Sequence, residues 1–214
     1  MGLVSVMKMR CPYCASKLEG RSNDKVFPCL ACGRYYEVGE GAFVERELVV
    51  IQGSGELKGD YTFYAPTWEF DVEAKVDAMP EEIDDAIKIA AGYTKIYVSA
   101  FRMWRPGYFG VPGRLYTLAQ IKRVPFEGKL ENPLIVGCVR SGKEALEFVK
   151  PTLLAAIDSK LDVSAIDVTG AIKGARLLAI PYVAMGEKVF DTQLKWEYPI
   201  AMFEDLAELV RDSK

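Results

Sequence analysis

Four of the five cysteines in this 214-residue chain fall in one short stretch, as Cys11-x-x-Cys14 and Cys29-x-x-Cys32. A two-residue gap lets both thiolates of a pair reach one ion from a tight turn, and two such turns complete a tetrahedral shell. Zn²⁺ prefers that geometry, with Zn–S distances of about 2.3 Å. The same residues could instead hold iron, in an iron–sulfur or rubredoxin-like site, or act as redox dithiols. Four sulfurs leave no position for water. One zinc ion on Cys11, Cys14, Cys29 and Cys32 is therefore expected to be structural, supplying folding energy to a segment too small to bury a core.

The two turns, "CPYC" and "CLACG", resemble the knuckles of the zinc-ribbon family over residues 9–38. Pro12 and Gly33 stand at family-typical places, and Ala15 stands where the first knuckle often carries glycine. The resemblance implies two small β-hairpins clamping one ion. Zinc ribbons recur in transcription, translation and replication factors, so the resemblance also implies contact with nucleic acid or a protein machine. The remainder of the chain resembles no family.

Charge and composition limit the rest. Half of the residues are apolar and the formal net charge is −3, so no whole-protein basic field exists for gripping nucleic acid. Residues 1–36 carry six Lys/Arg and two acids, whereas the remainder carries 21 basic and 28 acidic residues. The absence of histidine removes His-assisted Ser or Cys nucleophiles, HExxH zinc proteases and facial triads. "MGLVSVMKMR" lacks the pattern of a secretory signal, and no apolar run is long enough to span a bilayer. The chain is expected to be cytoplasmic, where thiols stay reduced and paired Cys-x-x-Cys motifs favour metal over disulfides.

Two further stretches have the form of binding motifs. "GCVRSGKE" (137–144) nearly spells a phosphate-binding P-loop, but Glu144 replaces the Ser/Thr that would meet Mg²⁺. Ser141-x-x-Glu144 also fits a capping box, which accounts better for the glutamate. Residues 86–126 contain no acid and seven basic residues. Within them "RMWRPGYFGVPGR" sets Arg102, Trp104, Arg105, Tyr108, Phe109 and Arg114 in one predicted loop. Arginine with aromatics suits base stacking, phosphate contacts or a protein hot spot. The alternative is a loop folded back, its aromatics capping the core and its arginines meeting acids elsewhere.

The elements that must position these groups mix without a βαβ rhythm. Gly39–Gly41 reads as a hinge, and 42–52 as one strand. From Trp68 to Asp77 apolar and charged residues alternate, which predicts a half-buried strand with Glu69, Asp71 and Glu73 on its wet face. Three carboxylates on one face could also hold a cation or act as an acid/base pair. Residues 79–92 predict a short helix, 94–101 a strand, 102–114 a loop, and 115–124 either helix or strand. Residues 133–139 predict a short buried strand in which Cys138 acts as a small hydrophobe. A helix over 142–161 is interrupted at Pro151, two closing strands follow, and 201–214 predict an amphipathic helix. "FYAPTWEFDV" and "AIPYVAMGEKVFD" faintly echo each other.

The expected fold is α+β: an N-terminal four-cysteine zinc ribbon (1–41), then a larger, mainly antiparallel-sheet α+β body (42–214). The expected role is a binding or adaptor module for a protein or nucleic-acid partner, without membrane insertion. The competing role is an enzyme with an appended ribbon, its site among the P-loop-like stretch or the body carboxylates.

Overall fold

The computed structural model describes residues 9–39, 41–53, 55, 57–77, 92–103, 110–128, 133–158, 167–203 and 206. The chain is mixed α and β with mostly antiparallel sheets and the cysteine cluster at its N-terminal end. A small sheet holds β1 (Val26–Pro28), β2 (Tyr35–Val38) and β3 (Phe43–Arg46), all antiparallel. Gly39 and Gly41, read as the ends of a hinge, instead lie in the short link between β2 and β3, which pair as a hairpin. Gly39 N–H donates to Ala42 O, and Gly41 takes a φ of 81°, which its missing Cβ permits. The single strand expected over 42–52 is two: β3 closes the small sheet, and β4 (Leu48–Val50) joins the large one.

The large sheet runs β6 (Lys95–Ser99), β5 (Tyr61–Asp77), β7 (Asp167–Met185), β8 (Lys188–Asp191), β9 (Glu197–Pro199). Strands β5 and β7 pair antiparallel along their length, so the two echoing segments lie side by side, with Tyr64 opposite Pro181 and Pro66 opposite Ala179. Strand β4 pairs parallel with Leu177–Ala179, and β8 pairs with Tyr182–Met185 on the same flank of β7. Pro181 sits where one neighbour ends and the other begins. Its missing N–H interrupts no ladder there, and its carbonyl accepts from Thr192 Oγ1 at 2.8 Å.

The undecided stretch is helical. Helix α1 (Val111–Ala119) begins inside the segment read as a loop, because Pro112 suits a first turn. It lies along the free edge of β6. Thr117 Oγ1 accepts from Tyr97 N–H, Ser99 Oγ from Gly113 N–H, and Gln120 bonds the backbone of Thr94 and Lys95. A row of edge groups that would otherwise template another strand is thereby occupied. The helix comes so close that a Cβ on Gly113 would run into the Tyr97 carbonyl oxygen. Gly113→Ala is therefore expected to push α1 off the edge and lower the melting temperature by several degrees, measurable by thermal denaturation.

Helices α2 (Gly142–Glu147) and α3 (Val149–Asp158) divide at Phe148, leaving Pro151 in the first turn of α3, where it costs no bond. They cover one sheet face, packing Ala145, Leu153, Ala156 and Ile157 on Trp68, Phe70, Ile96, Val98 and Leu177. On the other face Phe63, Tyr97, Leu178, Ile180 and Tyr182 meet Tyr116, Phe101 and Phe203. Residues 133–139 run extended but make only isolated bridges, at Ile135 and Cys138. Cys138 is buried in the core as a small hydrophobe, and burial pushes its thiol pKa up. The helix expected over 79–92, apart from Gly92, and ten of the fourteen residues of that expected over 201–214 lie outside the described residues. Ile200–Met202 form a short 3₁₀ turn.

Two covered faces overturn the reading of Glu69 as wet. It is buried, while Glu73 is exposed as expected. Register places Glu69 opposite Arg176, and Asp71 opposite Lys95. Glu69 Oε1 meets Lys95 Nζ at 3.2 Å and Arg176 Nη1 at 3.1 Å, and Oε2 meets Arg123 Nε at 3.1 Å. Asp71 pairs with Lys95 and Arg176, each at 3.1 Å. Burial alone would raise the Asp71 pKa, but these two cations hold it below the ordinary carboxylate value. Two bases of the acid-free stretch, Lys95 and Arg123, are spent here.

Candidate metal centre

The two knuckles share one backbone bonding pattern. Cys11 N–H donates to Ser16 O and Ala15 N–H to Cys11 O; Cys29 N–H donates to Arg34 O and Gly33 N–H to Cys29 O. Each turn closes through a left-handed residue after its second cysteine, Ala15 at φ 59° and Gly33 at φ 73°. The glycine has no Cβ to conflict with this conformation, whereas the alanine carries a strain of about 1–2 kcal/mol. Ala15→Gly is expected to stabilise the chain by up to about 1 kcal/mol after the added chain entropy of glycine is subtracted. A guanidinium denaturation midpoint that moves down would contradict this.

The strands bring the knuckles together. Strand β1 leads into Cys29, and β2 returns with Tyr36 beneath the cluster, packed on Leu18, Phe27 and Phe43. Cys11 Sγ lies 3.7 Å from Cys32 Sγ, and Cys14 Sγ lies 3.4 Å from Cys29 Sγ. All four sulfurs fall within 4.8 Å of one another, and none is in a disulfide. Sulfurs at the corners of a tetrahedron with Zn–S of about 2.3 Å stand about 3.8 Å apart, so the cluster fits a tetrathiolate shell. The charge on the thiols depends on whether a cation lies between them. Burial raises the Cys11 pKa, but the Cys14 amide and the Tyr36 hydroxyl outweigh it and bring it to about 6. Cys32 is pushed up to about 12 by burial and by the neighbouring sulfurs. Four thiolates repel one another unless a dication lies between them.

Sequence reading does not single out Tyr36. Its hydroxyl lies 3.5 Å from Cys11 Sγ, an outer contact that orients a ligand. An aromatic that alternates with the cysteine-bearing turns is the only signal for it. Tyr13 and Leu30, at the knuckle tips, are 66% and 77% exposed, and the Arg34 guanidinium lies 3.8 Å from the Tyr13 ring centroid.

The small sheet is fastened to the large one. Lys25 N–H donates to Cys138 O at 2.6 Å, and Val26 enters the body core. Glu37 is buried, pairs with Arg46, and accepts from Gly142 N–H at 2.8 Å. This contact bears on the P-loop-like stretch. Ser141 caps α2 in a complete capping box with Glu144, and Glu37 already occupies the first amide of that helix. Of the amides a phosphate would need, Ser141 N–H and Gly142 N–H donate to carboxylates and Glu144 N–H to the Ser141 hydroxyl.

Of the arginine-aromatic group, Trp104, Arg105, Tyr108 and Phe109 lie outside the described residues. Arg102 is exposed and borders a hollow with Lys25 and Arg140. Arg114, in the first turns of α1, borders a different one, also beside Arg140. Sequence spacing gives no hint of Arg140, which reaches both hollows from the turn before α2.

Asp191 is the body carboxylate with the largest upward shift shown by the structure, from an ordinary 3.8 to about 6, because of burial. It sits among Tyr116, Tyr182 and Tyr198, accepts from Gln193 N–H at 2.6 Å, and has one oxygen without a partner. A raised folded pKa means the native state binds the proton more tightly. This contribution is fully present below the unfolded value and is lost as pH rises through about 6. The expected difference is at most about 3 kcal/mol between pH 4 and pH 8. Asp191→Asn should remove it, so the stability of the variant relative to the natural chain should increase as pH rises from 5 to 7. A constant difference in denaturation free energy across that range would show that Asp191 stays ionised. Asp191, Glu69 and Asp71 line neither of the two hollows beside Arg140, nor the cavity beside Val26 and Leu48. No helix among the described residues is long and apolar enough to cross a membrane.

The chain matches no family model, no curated protein and no solved structure.

Proposed function

We propose that the chain is a zinc-binding protein of the zinc-ribbon type whose single ion is structural, and that it works as a binding or adaptor module in the cytoplasm. The observation that carries this is the convergence of Cys11, Cys14, Cys29 and Cys32 within 4.8 Å of one another. Sulfur fills every position of a tetrahedral shell, and a closed shell has no place for substrate or an activated water. What the ion supplies is folding energy for residues 9–46, a unit that takes in the β2–β3 hairpin and ends before β4.

The exposed knuckle tips support the binding reading. Tyr13 and Leu30 are large apolar side chains held out by the rigid turns, and Arg34 stacks on the first of them. Rigid aromatic and arginine anchors suit a protein or nucleic-acid partner. An apolar protein interface barely responds to salt, whereas phosphate contacts lose affinity steeply as salt rises.

The test is metal analysis of freshly reduced protein with X-ray absorption at the metal edge. One zinc per chain in a shell of four sulfurs is expected. Iron, bridged cysteines, or a shell containing a water oxygen would defeat the proposal.

A further inference from the structure

We propose that the cavity between the start of α1, the end of β6 and the α2–α3 corner is a binding site for a small organic anion with an apolar body. The cavity has a volume of about 440 Å³. A benzene ring is held by one of about 150 Å³, so a ring with an attached acid group fits. Its walls are mainly apolar, with Val98, Val111, Phe148, Pro151 and Ala155, and its charged lining consists of Arg114 and Arg140. No carboxylate among the described residues lines it, in a chain where acids outnumber bases by 30 to 27. Where this fold buries a charge elsewhere, at Glu69, it surrounds it with opposite charges.

Arg140 and Arg114 supply the two guanidinium groups that line the hollow. Arg140 is fixed by donating to Ser99 O at 2.5 Å and by lying 5.0 Å from the Phe148 ring centroid. Burial lowers its pKa. Glu144, whose charge reaches it, is held by Ser141 and Lys25. Arg114 has its Nε buried with no hydrogen-bond partner. That atom is closed to solvent, so a molecule in the hollow does not reach it; an arginine fork as a whole suits a carboxylate or phosphate edge. Backbone amides contribute little, since Gly113 N–H goes to Ser99 Oγ and Arg114 N–H to Gly110 O. Recognition therefore falls to the two side chains, with the ligand's apolar part against Phe148, Pro151 and Ala155. This goes beyond the adaptor reading and does not require the metal.

The test uses the full chain with its zinc content measured. Calorimetric titration would compare 3-phenylpropionate and phenyl phosphate, of about eleven non-hydrogen atoms each, with 3-phenylpropanol and inorganic phosphate. At least one organic anion is expected to bind with a Kd of about 1 mM or tighter, as its size allows. The neutral alcohol and inorganic phosphate should bind roughly tenfold more weakly. The stronger of the two anions identifies the acid group. Arg114→Gln should weaken that anion roughly tenfold, and Ala155→Leu, which fills the hollow without touching charge, should do the same. The proposal is overturned if neither anion binds at about 10 mM, ten times the weakest Kd allowed. It is also overturned if the alcohol binds as well, or if both variants bind like the natural chain. Anion binding by protein that proves zinc-free would sink the metal reading and leave this one standing.

Discussion

Stripping the metal with a chelator, or replacing Cys29 with serine, is expected to unfold residues 9–46 and to lower the stability of the rest of the chain as well. Structural zinc contributes about 10–16 kcal/mol in small finger peptides near neutral pH, more than the few buried side chains around Tyr36 supply. The structure makes the loss spread. Val26 is part of the core formed by Trp68, Phe70 and Leu177, and Glu37 occupies the first amide of α2. Removing the small sheet exposes that apolar surface and frees the helix end. Amide hydrogen exchange with and without chelator would read this directly. Protection lost in 9–46 and weakened along 133–147 is expected. Full protection in 9–46 without metal would show that the cysteines are not what holds the segment together.

Replacing Glu69 with alanine should destabilise the body strongly. Its side chain is inaccessible to solvent and contacts Lys95, Arg123 and Arg176, which are each partly exposed. Removing it leaves three cations converging on a vacated buried position. Breaking a buried pair costs about 3–5 kcal/mol, and partial solvation of the cations favours the lower end, about 3 kcal/mol. The melting temperature should fall by roughly 6–12 °C. Glu73→Ala, on an exposed ion pair with Lys173, should cost under about 1 kcal/mol. Equal effects from the two substitutions would mean that Glu69 behaves as a surface residue.

These two cases mark how far the residues alone can be read. The cysteine cluster is legible because its chemistry is local. Two-residue gaps fix each pair on one turn, and the backbone bonds of both knuckles lie within six residues. The capping box at Ser141 is legible for the same reason. The α+β class is legible because alternation and turn residues are short-range signals. Glu69 defeats such reading because alternation tells which residues share a face and not what covers it. The second face of β5 is covered by Tyr116, Phe101 and Phe203, which arrive from distant parts of the chain. Pro112 reads as a loop marker because proline both ends helices and starts them, and only contact with β6 shows which.

By itself the sequence determined the tetrathiol clamp, the absence of histidine chemistry and the mixed class of the fold, all of which follow from residue type and near spacing. Only the tertiary structure decided that the clamp is fastened to the body through Val26 and Glu37, that Glu69 is buried among three cations, and that Arg114 and Arg140 share one hollow. Those facts depend on contacts between residues far apart in the chain, 105 positions at Glu37 and Gly142 and 107 at Glu69 and Arg176. No local periodicity carries information across such a distance.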